Sequence, residues 1–103
     1  MATGTLGQAA LSASTNTTVY TVPAGKTATF SVSMLNRGGG PFDARLAIAA
    51  SGTPTNAEYL EYDVSIPQNS VLERTGLVAS AGKQIVAYAS TGDLVVNIYG
   101  YEE

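Results

Sequence analysis

Glu61 and Asp63 are the residues whose type and spacing come closest to acid–base chemistry. They alternate within the run Tyr59–Ile66, so an extended strand would place them on one face about 6–7 Å apart. The carboxyl pairs of glycosidases lie at comparable distances. Such pairs usually come from different elements and line a cleft in which one group is desolvated. Two carboxylates on a solvated strand face more often protect an edge, and we expect no catalysis from them.

The remaining side chains offer little other chemistry. His, Cys and Trp are absent, which excludes disulfides, metal sites built on Cys or His, thiol nucleophiles and imidazole bases. No hydroxyl lies in an S-x-x-K or G-x-S-x-G context. Asp43, Asp63 and Asp93 are isolated, so calcium has weak support. We therefore predict a protein that is not an enzyme, with no metal and no cofactor.

A glycine run, Gly38–Gly40, invites comparison with a phosphate-binding loop. A P-loop requires Lys and then Ser or Thr after its last glycine, followed by a helix. Here Pro41, Phe42 and Asp43 follow, and the next run is typical of a strand. The pattern favours a flexible connection between strands, which a partner could reshape.

The tyrosines Tyr99 and Tyr101 alternate with the apolar residues of one run, Leu94, Val96 and Ile98. If the aliphatic residues face the core, both tyrosines lie on the outer face. Exposed tyrosines are favoured at interfaces, because a large apolar body carries a polar tip. Packing across strands within the sheet is an equal alternative. Stacking on a sugar is a further one, although lectin sites usually add Trp, polar groups or calcium.

Alternation of apolar and polar residues is the recurring pattern of the chain and predicts strands. Thr27–Met34 has apolar residues at even positions and hydroxyls at odd ones. In Tyr59–Ile66 the pattern predicts a firmly set register with Leu60, Tyr62, Val64 and Ile66 pointing inward. The other predicted strands are Leu6–Leu11, Thr18–Val22, Arg45–Ala50, Val71–Val78, Gln84–Ser90 and Leu94–Tyr101.

Turn signals rich in Gly, Pro and Asn separate these runs at intervals of about 8–12 residues. The sequence therefore predicts an all-β fold, an antiparallel β-sandwich of about eight strands. Turn spacing is similar in immunoglobulin-like and jelly-roll sandwiches, so both topologies stay open.

Length and charge limit the class of protein further. A chain of 103 residues fits a single domain. We divide it into residues 1–17, an N-terminal arm and first strand that a partner could order, and residues 18–103, the sandwich. The net charge is −3 and the five basic residues are scattered, which argues against direct nucleic-acid binding. We expect neither a membrane span nor a signal peptide.

The segment Thr17–Val32 contains the turn Thr21-Val22-Pro23-Ala24-Gly25-Lys26 followed by a strand of alternating hydroxyls. Glu58–Tyr62, Leu72–Gly76 and a final Gly100–Glu103 come later. This arrangement resembles small virion structural proteins of tailed bacteriophages, especially cyanophage-like ones, over about residues 11–103. The resemblance implies an immunoglobulin-like or jelly-roll sandwich that binds an assembled shell or tube, and it carries no catalytic motif.

The expected function is that of a capsid decoration (cement) protein on the outer surface of the virion. Its partner would be the major capsid protein or, as the alternative, a tail or collar protein, and we expect a homo-oligomer. The contact residues would be Phe42, Arg45, Tyr99 and Tyr101, because exposed aromatic and Arg side chains are enriched at interfaces. The alternatives are a tail, collar or fibre-associated virion component and, from another class, a host-glycan-binding module.

Overall fold

The computed structural model describes residues 3–103, so Met1 and Ala2 lie outside the description. Its regular structure is almost entirely β, with one short 3-10 turn at Asn56–Glu58. The strands are β1 (Thr3–Ala10), β2 (Thr17–Thr21), β3 (Ala28–Asn36), β4 (Phe42–Ala49), β5 (Tyr59–Ile66), β6 (Val71–Ala79), β7 (Gln84–Ala89) and β8 (Leu94–Glu102). The predicted eight-stranded all-β sandwich is confirmed, and β5 has the predicted bounds.

The strands form two four-stranded antiparallel sheets. Sheet I has the order β1-β8-β3-β6, and sheet II has the order β2-β7-β4-β5. The pairs β1·β8, β2·β7, β3·β6 and β4·β5 nest within one another, as if one long hairpin had been folded over. This is the jelly-roll arrangement, since an immunoglobulin-like sandwich groups its strands differently. The topology that turn spacing left open is thereby decided.

The core lies between the sheets and follows from the alternation in the sequence. In β3 the even residues Phe30, Val32 and Met34 are buried, while the intervening hydroxyl residues face the other way. They pack against residues of sheet II such as Leu46 and Ile85. Burial of each of these large side chains contributes about 1.5–3 kcal/mol, so this interior is the main source of stability.

All four edge strands carry a register irregularity. The residues skipped in the register are Leu6 in β1, Val19 in β2, Thr75 with Gly76 in β6, and Leu60, Tyr62 and Asp63 in β5. The central pairs β3·β8 and β4·β7 run without interruption. Because bulges twist an edge away from further pairing, these edges are poor templates for another strand. The surfaces left for partners are the outer faces and the loops.

The bulge in β5 makes part of the strand prediction wrong. Tyr62 was expected inside and is 56% exposed. Asp63 adopts a φ of 52°, and the pairing passes from Val64 opposite Ala44 to Glu61 opposite Leu46. The two carboxylates therefore do not share a face: Glu61 turns towards the other sheet, and Asp63 stays on the outer side.

Polar side-chain contacts also join the two sheets. Glu61 of β5 accepts a 2.5 Å hydrogen bond from Arg74 of β6. On the other side of the sandwich, the Tyr20 hydroxyl of β2 donates a 2.5 Å bond to the buried carboxylate of Glu102 in β8. Burial and then this bond to a carboxylate raise the pKa of Tyr20 above its ordinary value.

Buried Asn36 anchors the glycine loop. Its amide donates hydrogen bonds to the carbonyls of Gly40 and Ile66 at 2.8 and 2.9 Å, and its side-chain oxygen accepts one from the Gly38 N–H at 2.8 Å. A buried amide with every group satisfied fixes the surrounding backbone. The connection expected to be a flexible loop is thus tied to the end of β3.

The first strand belongs to the sandwich. β1 pairs with β8 from Thr3↔Tyr101 to Ala10↔Val95. The described part of residues 1–17 therefore contributes an edge strand to sheet I. The expected boundary at residue 17 divides the sequence but does not divide the fold. The start of the arm, Met1 and Ala2, lies outside the described residues.

Candidate functional site

The carboxylates considered for catalysis are engaged in structural contacts. Glu61 pairs with Arg74, and Asp63 pairs with Arg45. Within residues 3–103, no group of three or more Asp or Glu side chains is arranged to hold a metal ion. No helix in the same residues is long and apolar enough to cross a membrane. The large apolar side chains that are most exposed lie on the outer faces of the two sheets, and these faces are the candidate functional surfaces.

The outer face of sheet I consists of rows that run across its four strands. The row at one end is wholly apolar: Ala10, Val95, Leu35 and Val71. The row at the opposite end holds Thr3, Tyr101, Thr29 and Val78. The rows between them carry mainly hydroxyl and amide groups. Five of the six large apolar side chains that are most exposed lie on this face: Leu35, Val71, Val78, Tyr99 and Tyr101.

Charge is nearly absent from this face. Glu73 is the only charged side chain that the described strands of sheet I direct outward, since Arg74 turns inward to Glu61. The Tyr99 hydroxyl donates a long, 3.4 Å hydrogen bond to Glu73. Gln8 and Asn97 bond each other at 2.7 Å in the same row as Glu73. The outer face of sheet I is thus polar enough to remain hydrated, but it carries very little charge.

The outer face of sheet II is organised around Arg45. Its guanidinium carbon lies 4.2 Å from the ring centroid of Tyr62 and 4.3 Å from that of Tyr88, so the cation is stacked between two rings. Asp63 accepts hydrogen bonds from Nε at 2.6 Å and from Nη2 at 3.4 Å. The hydrogen bond to Asp63 raises the pKa of the Arg45 guanidinium above its ordinary value. The charge is permanent and locally compensated.

Next to this stack is a small pocket. It is lined by Asn56, Tyr59 and Tyr62 and has a volume of about 350 Å³. The rings of Tyr59 and Tyr62 are nearly perpendicular, at 81°, with centroids 4.9 Å apart. They form two walls of a corner, and Asn56 supplies an amide at its side.

The loop of residues 50–58 shapes the same face. Glu58 accepts hydrogen bonds from the N–H groups of Thr55 at 2.8 Å and Ala50 at 2.9 Å. These two bonds hold the pKa of its carboxyl below the ordinary value. Gly52 of the loop lies against sheet II, and Val86 beneath is buried although its alternation directs it outward. The loop therefore covers one end of this face and leaves the tyrosine corner open.

The four predicted contact residues do not come together. Phe42 packs against the core beside Gly38, Arg45 lies in the stack on sheet II, and Tyr99 and Tyr101 lie on sheet I. The outward orientation expected for the two tyrosines is confirmed, at about 40% exposure. Whether any of the four contacts a partner stays a prediction.

Several residues of these faces were missed in the sequence. Tyr88 follows the same alternation as Val86, which could have identified it as an outward residue but not as the partner of Arg45. Tyr62 could not be found this way, because its orientation depends on the bulge in β5. The face shared by Val71 and Val78 does not follow from alternation, because the register irregularity at Thr75 and Gly76 lies between them.

The comparisons with known proteins identify no relative. No protein-family model, no curated protein and no solved structure matches the chain.

Proposed function

We propose that the protein is a structural component of a tailed-bacteriophage virion, a decoration protein that binds the outer capsid and stabilises it. The observation that carries the proposal is the outer face of sheet I, which exposes apolar and hydroxyl side chains with a single carboxylate, Glu73. The sequence resemblance supplies the class of partner. The jelly-roll topology is compatible with it, since viral capsid domains use this fold among others.

The chemistry of this face favours a protein surface as its partner. A nucleic-acid site needs clustered Lys and Arg, whereas the described strands of sheet I direct none of them outward. Tyrosine and apolar side chains without strong charge are typical of the centre of protein interfaces. The irregular edges favour contact through the face over strand addition.

The size of the face favours binding in many copies. Four strands of up to nine residues cover about 500 Å² at normal strand spacing and rise. A stable interface between two proteins buries about 800 Å² of accessible surface on each partner, so a face of this projected area must be covered almost completely to supply it. Binding across subunits of an assembled shell, or as an oligomer, raises the effective affinity. A protein that binds only the assembled shell also stabilises the assembled shell by mass action.

The test is the number and location of copies in the virion that contains this chain. Quantitative mass spectrometry and a cryo-electron microscopy map should give hundreds of copies on the icosahedral faces, each with sheet I towards the shell. Tens of copies or fewer at one vertex would overturn decoration in favour of a tail or collar component. Absence from the particle would reject the virion assignment altogether.

A further inference from the structure

The corner formed by Tyr59, Tyr62 and Asn56 on sheet II is a feature that docking by sheet I leaves unexplained. Two aromatic walls meet at 81° around about 350 Å³, which is at the small end of ligand sites. Tyr62 is more than half exposed. Besides its contacts with Arg45 and Tyr59, this ring lines the pocket.

Contacts within the chain hold the residues around the corner without a ligand. Arg45 stacks on Tyr62 and is held by two hydrogen bonds to Asp63, so the ring has a fixed neighbour. The Glu58 carboxylate bonds two backbone N–H groups of the loop that carries Asn56. A site that is ordered in advance loses less conformational entropy on binding.

The side chains that line the corner offer no ion pair to a charged ligand. Its three lining side chains are uncharged, and the nearby cation of Arg45 is compensated by Asp63. The faces of tyrosine rings carry partial negative charge, which attracts polarised C–H groups. The amide of Asn56 both donates and accepts hydrogen bonds, as do tyrosine hydroxyls.

We propose that this corner binds a neutral pyranose sugar. The C–H face of the sugar ring stacks on a tyrosine, and its hydroxyl groups exchange hydrogen bonds with the Asn56 amide and a tyrosine hydroxyl. The volume accommodates one or two sugar units. Because the two sheets lie back to back, a chain docked through sheet I directs the corner away from the docked surface. The proposal does not depend on that docking.

The experiment is a titration of the ¹⁵N-labelled protein with neutral methyl glycosides of glucose, galactose, mannose and N-acetylglucosamine, followed by NMR. Saturable shifts are expected at Asn56, Tyr59 and Tyr62, with a dissociation constant of about 1 mM for the best sugar. Tyr59→Ala should weaken binding by about tenfold or more. The matched control is Tyr101→Ala, which removes a tyrosine from the opposite face and should leave the affinity unchanged.

Asn56→Ala provides a second variant, because Asn56 is exposed and its loss leaves the Tyr59 packing intact. It should weaken binding without changing the denaturation curve. The proposal is overturned if no glycoside gives saturable shifts at the corner, or if Tyr101→Ala weakens binding as much as Tyr59→Ala does. Saturable shifts with choline but with none of the sugars would also overturn it, since they would assign the tyrosines to a cation.

Discussion

The outer faces of sheets I and II arise from the same strand alternation, but their exposed side chains have different neighbours. On sheet II, Tyr62 and Tyr88 enclose Arg45, and Asp63 compensates its charge. On sheet I, residues such as Val71 and Val78 are about half exposed and lie in rows with other apolar or hydroxyl side chains. One face thus supplies partners from its own chain, whereas the other leaves large apolar groups in water.

This difference separates two sources of stability. Contacts within the stack on sheet II act in the isolated protein, so losing them should weaken folding. The apolar surface of sheet I gains free energy only when another molecule removes it from water. Substitutions on sheet I should therefore affect association more than folding, and substitutions in the stack should do the reverse.

The largest effect is expected for the double substitution Val71→Asp with Val78→Asp on sheet I. Two carboxylates buried against a partner without counter-charges should weaken binding to capsids assembled without the protein by about 100-fold, measured by co-sedimentation. The control, Thr21→Asp with Thr53→Asp, adds the same charge on the other side and should change binding by less than about twofold. Equal binding by both double variants would remove sheet I as the docking face.

A smaller effect, on folding, is expected for Arg45→Ala. It removes two cation–π contacts worth about 0.5–1 kcal/mol each and an ion pair worth up to about 1 kcal/mol. The free energy of unfolding in urea should fall by about 2 kcal/mol. Arg37→Ala removes an exposed arginine outside the stack and should change the free energy by less than about 0.5 kcal/mol. Similar values for the two variants would show that the stack does not stabilise the fold.

Tyr20 lies between the sheets. The titration of its hydroxyl therefore reports on the interior and on neither outer face. Its pKa is raised in the folded state, so the unfolded chain loses the proton first as the pH rises. The stability from this group is complete below about pH 10, the ordinary tyrosine value, and is lost above it by up to about 1.4 kcal/mol per pH unit. Urea denaturation of Tyr20→Phe should show a shallower alkaline decline, and Tyr101→Phe should follow the wild type. A decline unchanged in Tyr20→Phe would contradict the assignment.

The smallest effect is expected for Val78→Thr on sheet I. The side chain is 59% exposed on an edge strand, and threonine preserves both the shape and the strand propensity. The free energy of unfolding should change by less than about 0.5 kcal/mol, as measured by thermal and urea denaturation. A loss above about 1 kcal/mol would mean that this face contributes to folding in the isolated chain and would weaken the contrast between the sheets.

The sequence was sufficient to predict the strands, because the alternation of apolar and polar residues and the positions of turn residues are local properties. It could not choose between the two sandwich topologies, since the nested pairing joins residues as distant as Thr3 and Tyr101. It was wrong at Tyr62, because the bulge in β5 reverses the alternation where Asp63 meets Arg45.

The candidate sites likewise depend on which residues of neighbouring strands lie opposite each other. Tyr99 and Tyr101 could be placed from the alternation of a single strand. The stack requires the knowledge that Arg45 and Tyr88 are cross-strand partners, which no single strand reveals. The tyrosine corner additionally requires the path of the loop that follows β4, which is set by hydrogen bonds to one carboxylate, Glu58.

The position of β8 between β1 and β3 also has a consequence for synthesis. While the ribosome is still making the region after β7, β1 and β3 have no strand between them, and sheet I is incomplete. The innermost hairpin, β4·β5, needs only a short loop to close, whereas β1·β8 joins segments from the two ends of the described chain. Such non-local pairing slows folding, so sheet I should close only after β8 has left the ribosomal tunnel.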